Sequence, residues 1–317
     1  NKLMRDTLAT QDAVFEAEKK ILSQKQTKKV VEGDYLPSIE SEVLGEYTFF
    51  DNFRDVPPID EYELHLSTDW NIYDFGRKNM KYKSADVSID IAKNNLKLVH
   101  NSEMARLLKI YTDYSHHYEK MNLINDYEKF LLLLQKEVEG RLKGGVGTIL
   151  EKNQFDQTLN ALALRKLDAK KFLQSAKSDY QLYFSTVFNE KLLPNLDEFK
   201  EKVTSVLKDI FKVNVLTPQE TKLKLEISKA VVEKEIYASE YYPDVKVGLK
   251  LRKFDLYDND PNFEIVGSLT NKINLFDGFK RQYSVSSKIE EIAGLAAKLR
   301  LSRLQKEQRV IRYKIEY

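Results

Sequence analysis

The stretch NIYDFGRK at residues 71–78 recurs in altered form as NLFDGFKR at residues 274–281. Each contains an Asn, an apolar pair, an Asp, an adjacent Gly and Phe, and two basic residues, and we call it the junction motif. The aspartates, Asp74 and Asp277, lie 203 positions apart. Because this spacing is far longer than the period of a solenoid repeat, the motif predicts two copies of a larger unit.

A second motif lies upstream of each junction motif and has a tyrosine two positions before a proline. It reads YLPSIESEV from Tyr35 and YYPDVKVGL from Tyr241, and we call it the proline motif. Its prolines, Pro37 and Pro243, lie 206 positions apart, so both motifs recur in the same order at nearly the same spacing. The chain is therefore predicted to be a tandem repeat of half-proteins.

Each repeat is predicted to contain one β-hairpin, because apolar and polar residues alternate on both sides of a turn. In the first repeat the alternation covers residues 38–50 and 62–72, around a loop with two adjacent prolines. The second repeat alternates in the same way around the turn DNDPN. The predicted hairpins span residues 35–76 and 241–279.

Long helices are predicted between the hairpins, since residues 79–139 contain neither Gly nor Pro. Apolar and aromatic residues recur there in steps of three and four, which is typical of a coiled-coil seam. They are Leu107, Tyr111, Tyr114, Tyr118, Met121 and Ile124. The glycine-rich segment GRLKGGVGT at 140–148 predicts a turn, after which a second amphipathic helix returns.

These elements predict an α+β fold class and define the domain organisation. The first repeat, residues 1–190, contains a helix, the first β-hairpin and a long helical hairpin over 78–190. The second repeat, residues 191–317, is incomplete. It contains short helices in 192–240, the second β-hairpin and the start of a long helix at 281–317. One short helix is predicted to begin at Thr217, because Thr217, Pro218 and Glu220 form a capping box with proline in the first turn.

Composition excludes several classes of function. Lys and Arg number 51 and Asp and Glu number 49, which gives no basic excess for a nucleic-acid partner. The chain has no Cys, so disulfides, thiolate catalysis and Cys-ligated metals are excluded. We expect no cofactor and no enzymatic activity. The sequence contains no run of eighteen apolar residues, so no transmembrane helix is predicted.

The strand pattern favours a membrane barrel, because strands of about ten residues with one apolar and one polar face cross a bilayer in closed barrels. Aromatic residues cluster at both ends of the predicted strands, as at the two interfaces of a membrane. The alternative is an amphipathic sheet packed on helices in a soluble α+β protein. Two hairpins are too few to close a barrel, so a membrane barrel requires several chains.

The apolar face is predicted to contact lipid through Leu64, Leu66, Val245, Val247, Leu249 and Leu251. The polar face is predicted to line the pore. Its acidic members in the first hairpin are Glu40, Glu42, Glu46, Glu61, Glu63 and Asp69, and its members in the second are Lys246, Lys250, Arg252, Lys272 and Glu264. Because the first set is acidic and the second mostly basic, we expect these charges to pair across the boundaries between hairpins.

Over residues 6–317 the chain resembles the TolC family of outer-membrane channels, which serve drug efflux and type I secretion. The junction motif resembles the family pattern lFDgGrr, and the proline motif resembles LPsl. The segment RLKGGVGTILEK at 141–152 resembles the RVRGGVGS.aDv tip of the family's helical hairpin. GGVGT favours the secretion branch.

The resemblance implies a homotrimer with a twelve-stranded β-barrel in the outer membrane of a Gram-negative bacterium and a periplasmic tunnel of long helices. Outer-membrane lipid, a periplasmic adaptor and an inner-membrane pump or ABC transporter are the implied partners. The implied adaptor-contacting tip is Arg141, Gly144, Gly145, Val146, Gly147 and Thr148. The implied strand-to-helix junctions are Asp74, Gly76, Asp277 and Gly278, where the glycines allow the backbone to bend. The basic residues implied to lie near the lipid headgroups are Arg77, Lys78, Lys280 and Arg281.

The chain departs from the family pattern in two places. Lys152 stands where the tip pattern has an apolar residue, and the second helical hairpin has no counterpart, so we expect a piece of a longer protein. Two rival functions are a coiled-coil scaffold without channel activity and an enzyme with a metal at Asp113 and His117. The scaffold leaves the hairpins unexplained, and a polar patch on a coiled coil accounts for the Asp and His.

Overall fold

The computed structural model describes residues 2–47, 60–184, 216–254 and 263–316. In chain order the elements are α1 (Lys2–Ala9), α2 (Asp12–Gly33), β1 (Ser38–Tyr47), β2 (Asp60–Tyr73), α3 (Arg77–Lys143), α4 (Ile149–Phe184), α5 (Pro218–Ser239), β3 (Asp244–Lys253), β4 (Phe263–Lys272) and α6 (Lys280–Glu316). The predicted α+β class with two β-hairpins and long helices is confirmed. The two hairpin loops and the predicted helix after residue 192 lie outside the described residues.

The four strands form one antiparallel sheet in the order β1-β2-β3-β4. In the first hairpin Ser38 lies opposite Asp69, and in the second Asp244 lies opposite Lys272. These pairs are related by the same spacings, 206 and 203 positions, that separate the proline motifs and the junction motifs. The two hairpins therefore have equivalent registers, as two copies of one unit would have.

The contacts divide the chain into two compact units, residues 1–16 with 98–215 and residues 17–97 with 216–317. In the first unit α4 packs against the later part of α3. Leu107 and Tyr180 are 0 % and 1 % exposed, and the rings of Tyr114 and Tyr180 are 5.1 Å apart. The predicted seam of α3 is therefore the buried face of this helical pair.

α3 is a single helix of 67 residues, which at 1.5 Å per residue is about 100 Å long. Residues 79–139 contain no Gly or Pro to break it, as the sequence predicts, and Gly140 comes only in its last turn. Among the described residues, no helix is long and apolar enough to cross a membrane.

In the second unit, ion pairs join neighbouring helices. Lys288 Nζ of α6 lies 2.7 Å from a carboxylate oxygen of Glu233 in α5. Lys28 Nζ of α2 lies 2.7 Å from a carboxylate oxygen of Asp86 in α3. Hydrogen bonds to Glu233 and to a second carboxylate raise the pKa of Lys288 above its usual value. These pairs fix the helices that lead into and out of the sheet.

The predicted start of α5 is confirmed. Glu220 N–H donates to Thr217 Oγ1 at 3.1 Å, and Thr217 N–H donates to Glu220 Oε2 at 2.8 Å. The hydrogen bond from the Thr217 backbone is the main cause that lowers the pKa of Glu220, a carboxylate that is 3 % exposed. The capping box therefore keeps this acid charged against α6, where Lys306 lies 3.7 Å away.

Candidate functional site

At both junction motifs the chain turns from strand to helix through two successive left-handed residues. In the first repeat Phe75 and Gly76 have φ values of 52° and 82°. In the second repeat Gly278 and Phe279 have φ values of 69° and 64°. The order of Gly and Phe is reversed, so at each junction one of the two is a phenylalanine in a conformation that costs about 1–2 kcal/mol for an L-residue.

The aspartate of each junction motif caps the helix that follows. Asp74 Oδ2 accepts from the Lys78 backbone N–H at 2.9 Å. Asp277 Oδ2 accepts from the Arg281 backbone N–H at 3.1 Å and from Arg281 Nε at 2.7 Å. Burial by itself raises the pKa of Asp277, but the hydrogen bonds and charge of Arg281 outweigh it and lower the pKa. The motif thus needs a carboxylate because it satisfies the N–H groups of a helix start.

The basic residue four positions after the aspartate reaches back to the proline motif. Lys78 Nζ lies 5.6 Å from the ring centre of Tyr35, and the Arg281 guanidinium lies 4.5 Å from that of Tyr241. Both distances fit cation–π contacts. The two motifs recur together because their side chains meet in the same way in each repeat, which spacing in the sequence does not reveal.

The first junction is further held by Arg77. Its guanidinium donates to the backbone oxygen of Ser239 at 3.0 Å and forms an ion pair with Asp244 at 3.1 Å. These contacts tie the start of α3 to the end of α5 and to the first residue of β3. The equivalent residue of the second repeat, Lys280, is exposed and makes no such bridge within the described residues.

Aromatic rings surround the first junction. Phe75 packs edge-on against Tyr73 at 4.8 Å and stacks on Tyr242 at 5.1 Å. Trp70 Nε1 donates to the backbone oxygen of Tyr35 at 2.9 Å while 46 % of the residue stays exposed. This end of the sheet therefore presents a cluster of rings, of which Trp70 is both exposed and hydrogen-bonded.

The predicted helical tip is an exposed turn between α3 and α4. Gly145 has a φ of 73°, its N–H donates to Leu142 O at 3.2 Å, and Val146 N–H donates to Arg141 O at 3.0 Å. This is a Schellman motif, in which a left-handed glycine ends the helix. At Gly147 a Cβ atom would come within 3.0 Å of backbone atoms of Leu142, so this glycine is needed for space.

The first turn of α4 adds a feature that the sequence analysis missed. Glu151 N–H donates to Thr148 Oγ1 at 3.2 Å and Thr148 N–H donates to Glu151 Oε2 at 3.1 Å, a capping box that the pattern T-x-x-E could have revealed. Val146, Ile149 and Leu150 are 75 %, 72 % and 66 % exposed. The tip is thus a rigid turn with an apolar surface, and Arg141, Gly144 and Thr148 are exposed beside it.

The registers place all the predicted pore-facing residues on one face of the sheet. These positions are Glu40, Glu42, Glu61, Glu63, Lys246, Lys250, Arg252 and Lys272. The opposite face is apolar and exposed, with Val43 at 63 %, Leu249 at 51 % and Leu269 at 73 %. Such a contiguous apolar face calls for a covering partner or lipid.

The expected pairing of charges across hairpin boundaries is wrong at the boundary between β2 and β3. There the register places Lys250 opposite Ser67 and Lys246 opposite Asn71, and the ladder ends at Leu64, before Glu63. The charges pair within the hairpins instead. Arg252 lies 3.4 Å from Glu264, and His65 Nε2 lies 2.5 Å from Glu63 and its Nδ1 3.9 Å from Glu42.

Asp113 and His117 line a small cleft of about 140 Å³ in the first unit, where Asp179 also lies. The His117 ring stacks on Phe172 at 5.7 Å. Within the described ranges, no group of three or more His, Asp or Glu side chains could hold a metal ion. The pair is part of the packing between α3 and α4.

No protein-family model and no curated protein sequence matches the chain. Solved structures do. VceC, an outer membrane protein of Vibrio cholerae, matches with a TM-score of 0.78 and 12 % identity over 96 % of this chain and 75 % of its own. The open-state MtrE outer membrane channel of Neisseria gonorrhoeae matches with a TM-score of 0.76 and 13 % identity over 97 % and 70 %.

The CmeC outer membrane channel of Campylobacter jejuni gives a TM-score of 0.75 at 12 % identity, over 96 % of this chain and 67 % of its own. At such low identities these similarities establish the fold, and the resemblance to TolC-family channels is confirmed at that level.

Proposed function

We propose that this chain, which has the fold of TolC-family outer-membrane channels, is one protomer of a trimeric channel in the outer membrane of a Gram-negative bacterium. The observation that carries the proposal is the four-stranded sheet with one apolar and one charged face. Four strands cannot close a barrel, and three protomers supply twelve. In that barrel the apolar face contacts lipid and the charged face lines a water-filled pore.

The exposed junctions support the same orientation. Trp70, Tyr73 and Tyr242 are 46 %, 55 % and 55 % exposed at the end of the sheet where α3 begins. Rings with a polar handle favour the interface between lipid and water. The exposed Lys280 at the second junction offers a cation to phosphate headgroups, whereas Arg281 is 7 % exposed and held by Asp277. This end of the barrel is proposed to face the periplasm, from which the long helices extend.

The helical tip is the proposed contact for a periplasmic adaptor that links the channel to an inner-membrane pump or ABC transporter. The support is a rigid turn with exposed apolar residues at Val146, Ile149 and Leu150. The transported substrate is a drug or a protein exported by type I secretion. The resemblance of GGVGT to the secretion branch favours the latter.

Reconstitution into planar lipid bilayers tests the channel. The purified chain is expected to form a trimer with steady conductance. Leu249→Arg places a charge on the lipid face and costs about 2–4 kcal/mol near the middle of a bilayer, so assembly in the membrane is strongly reduced. The matched control is Lys250→Arg, which changes the neighbouring residue on the charged face and leaves conductance intact.

Two results contradict the proposal. Equal tolerance of both variants shows that the hairpin is not in a bilayer. A chain that stays out of the membrane fraction and gives no conductance is the coiled-coil scaffold of the alternative hypothesis.

A variant pair tests the tip. Gly145→Val forces a β-branched residue to a φ of 73°, and Gly147→Val collides with the backbone of Leu142. Both are expected to abolish export in cells while trimers still reach the membrane. Gly140→Ala is the control, since nothing lies within 4 Å of a Cβ atom there. If both tip variants export at the normal level, the tip does not contact the adaptor.

A further inference from the structure

The sheet leaves two edges without a partner in the described chain, the outer edge of β1 and the outer edge of β4. Exposed edges present unpaired N–H and C=O groups that pair with another strand. Inside the chain, β2 and β3 form the boundary between the hairpins. Because the hairpins have equivalent registers, this internal boundary is a template for how β4 meets β1 of another protomer.

The template gives a definite register. Asp69 of β2 lies opposite Gly248 of β3. The equivalent of Asp69 in β4, 203 positions later, is Lys272, and the equivalent of Gly248 in β1, 206 positions earlier, is Glu42. In the proposed trimer β4 of one protomer runs antiparallel to β1 of the next, and we infer the register of this chain at that boundary, with Lys272 directly opposite Glu42. This register rests on the proposed function, since it needs several protomers to complete one barrel.

The side chains at these edges fit the inferred register. Lys272 and Glu42 belong to the same charged face, both are exposed, and opposite charges facing each other across a strand pair stabilise it. On the apolar face the register places Asn271 opposite Val43 and Leu269 opposite Gly45. A slip of one residue would place Lys272 against the lipid-facing Val43, which a buried apolar face does not tolerate.

The lengths of the strands point the same way. β2 continues to Tyr73, and its last residues, Trp70 to Tyr73, lie against β3. β4 ends at Lys272, four residues short of Phe276, the equivalent of Tyr73. Ile273 and Leu275, 49 % and 85 % exposed, continue the apolar alternation without a strand beside them. In the inferred interface β1 of the next protomer supplies that strand, and β4 extends to Phe276.

Disulfide trapping tests the register, and the chain has no native Cys to interfere. The variant with Lys272→Cys and Glu42→Cys is expected to give high yields of disulfide-linked dimers and trimers in assembled channels. Directly opposite residues have Cα atoms about 4.5–5.5 Å apart, within reach of a disulfide. The controls pair Lys272→Cys with Glu40→Cys or with Leu44→Cys. These are two residues out of register and about 8 Å apart, beyond that reach.

The outcomes separate the register from the channel. Trapping at Glu42 with at least tenfold less at both controls supports the inferred register. Trapping at either control instead of Glu42, or no trapping in channels that still conduct, overturns the register and leaves the channel standing. If the Cys-free chain neither assembles nor conducts, the proposed function itself fails.

Two further measurements are independent of cysteine chemistry. Lys272→Glu alone and Glu42→Lys alone are expected to lower trimer yield several-fold, and the double variant K272E/E42K is expected to restore it. Absence of restoration contradicts the direct pairing. Hydrogen exchange should also slow at residues 273–276 when protomers assemble. Unchanged exchange there in conducting channels contradicts the extension of β4.

Discussion

The two strand-to-helix junctions have the same backbone and different neighbours. Both contain two left-handed residues, an aspartate that caps the following helix and a cation over a tyrosine ring. The first junction is also bridged by Arg77 to Ser239 and Asp244, whereas Lys280 in the second stays exposed. Features set by local geometry are thus retained in both repeats. Features that depend on a neighbour differ: at the second junction Arg281 instead reaches the end of α5, where it donates to Glu240 O at 3.0 Å.

Removal of the basic residue should show the largest difference between the junctions. Arg77→Ala breaks a half-buried ion pair and leaves Asp244 without its partner, so we expect the free energy of unfolding to fall by about 2 kcal/mol. Lys280→Ala, on an exposed residue, is expected to change it by less than about 0.5 kcal/mol. Chemical denaturation of the unassembled chain, followed by helical circular dichroism, measures both. Equal losses would contradict the asymmetry.

Relief of strain at the phenylalanines should give a smaller difference between the junctions. Asn tolerates a left-handed conformation better than Phe, but Phe279→Asn also loses the edge-on contact of its ring with Phe276 at 5.4 Å, so we expect stability to change by less than about 0.5 kcal/mol. Phe75→Asn also relieves strain but loses two ring contacts, each worth about 0.5–1.5 kcal/mol, so stability falls. Thermal unfolding of the two variants compares them directly. A gain for Phe75→Asn would show that its rings do not hold the first junction.

The smallest effect is expected from Asp277→Asn, which should change how stability depends on pH. The pKa of Asp277 is lowered in the folded chain, so its carboxylate stabilises the fold at pH values above about 4, the ordinary range of an Asp. That contribution is lost as the pH falls through the lowered value. Asp277→Asn is therefore expected to reduce the loss of stability between pH 5 and pH 2, measured by thermal unfolding. An unchanged slope would mean that Arg281 does not pair with this carboxylate in solution.

Much of this architecture could be predicted from the sequence because it depends on local pattern. Alternation defined the strands, the absence of breakers defined α3, and Thr217 with Glu220 marked the start of α5. The left-handed Phe75 and Phe279 could not be predicted, since only glycine signals that conformation. The hydrogen bond between His65 and Glu63 was also missed, although residues two apart on one strand share a face and this spacing could have revealed the contact.

The edge strand β4 shows a second limit. Its alternation continues to Phe276, so sequence alone predicts a strand as long as β2. The structure ends it at Lys272, opposite the first residue of β3, and among the described residues no strand lies beside its last positions. Local pattern states which face a residue occupies, but the length of a strand depends on its partner.

The glutamates of β1 also bear on the symmetry of an assembly. An isologous contact would place two β1 edges against each other in antiparallel pairing and bring Glu40 and Glu42 of one chain close to the same residues of the other. Like charges in that position destabilise the contact, so a two-fold dimer through this edge is disfavoured. The outer edge of β4 ends in Lys272, whose positive charge attracts the glutamates of β1. The protomer is therefore suited to heterologous, head-to-tail contacts, the kind that generates a closed ring.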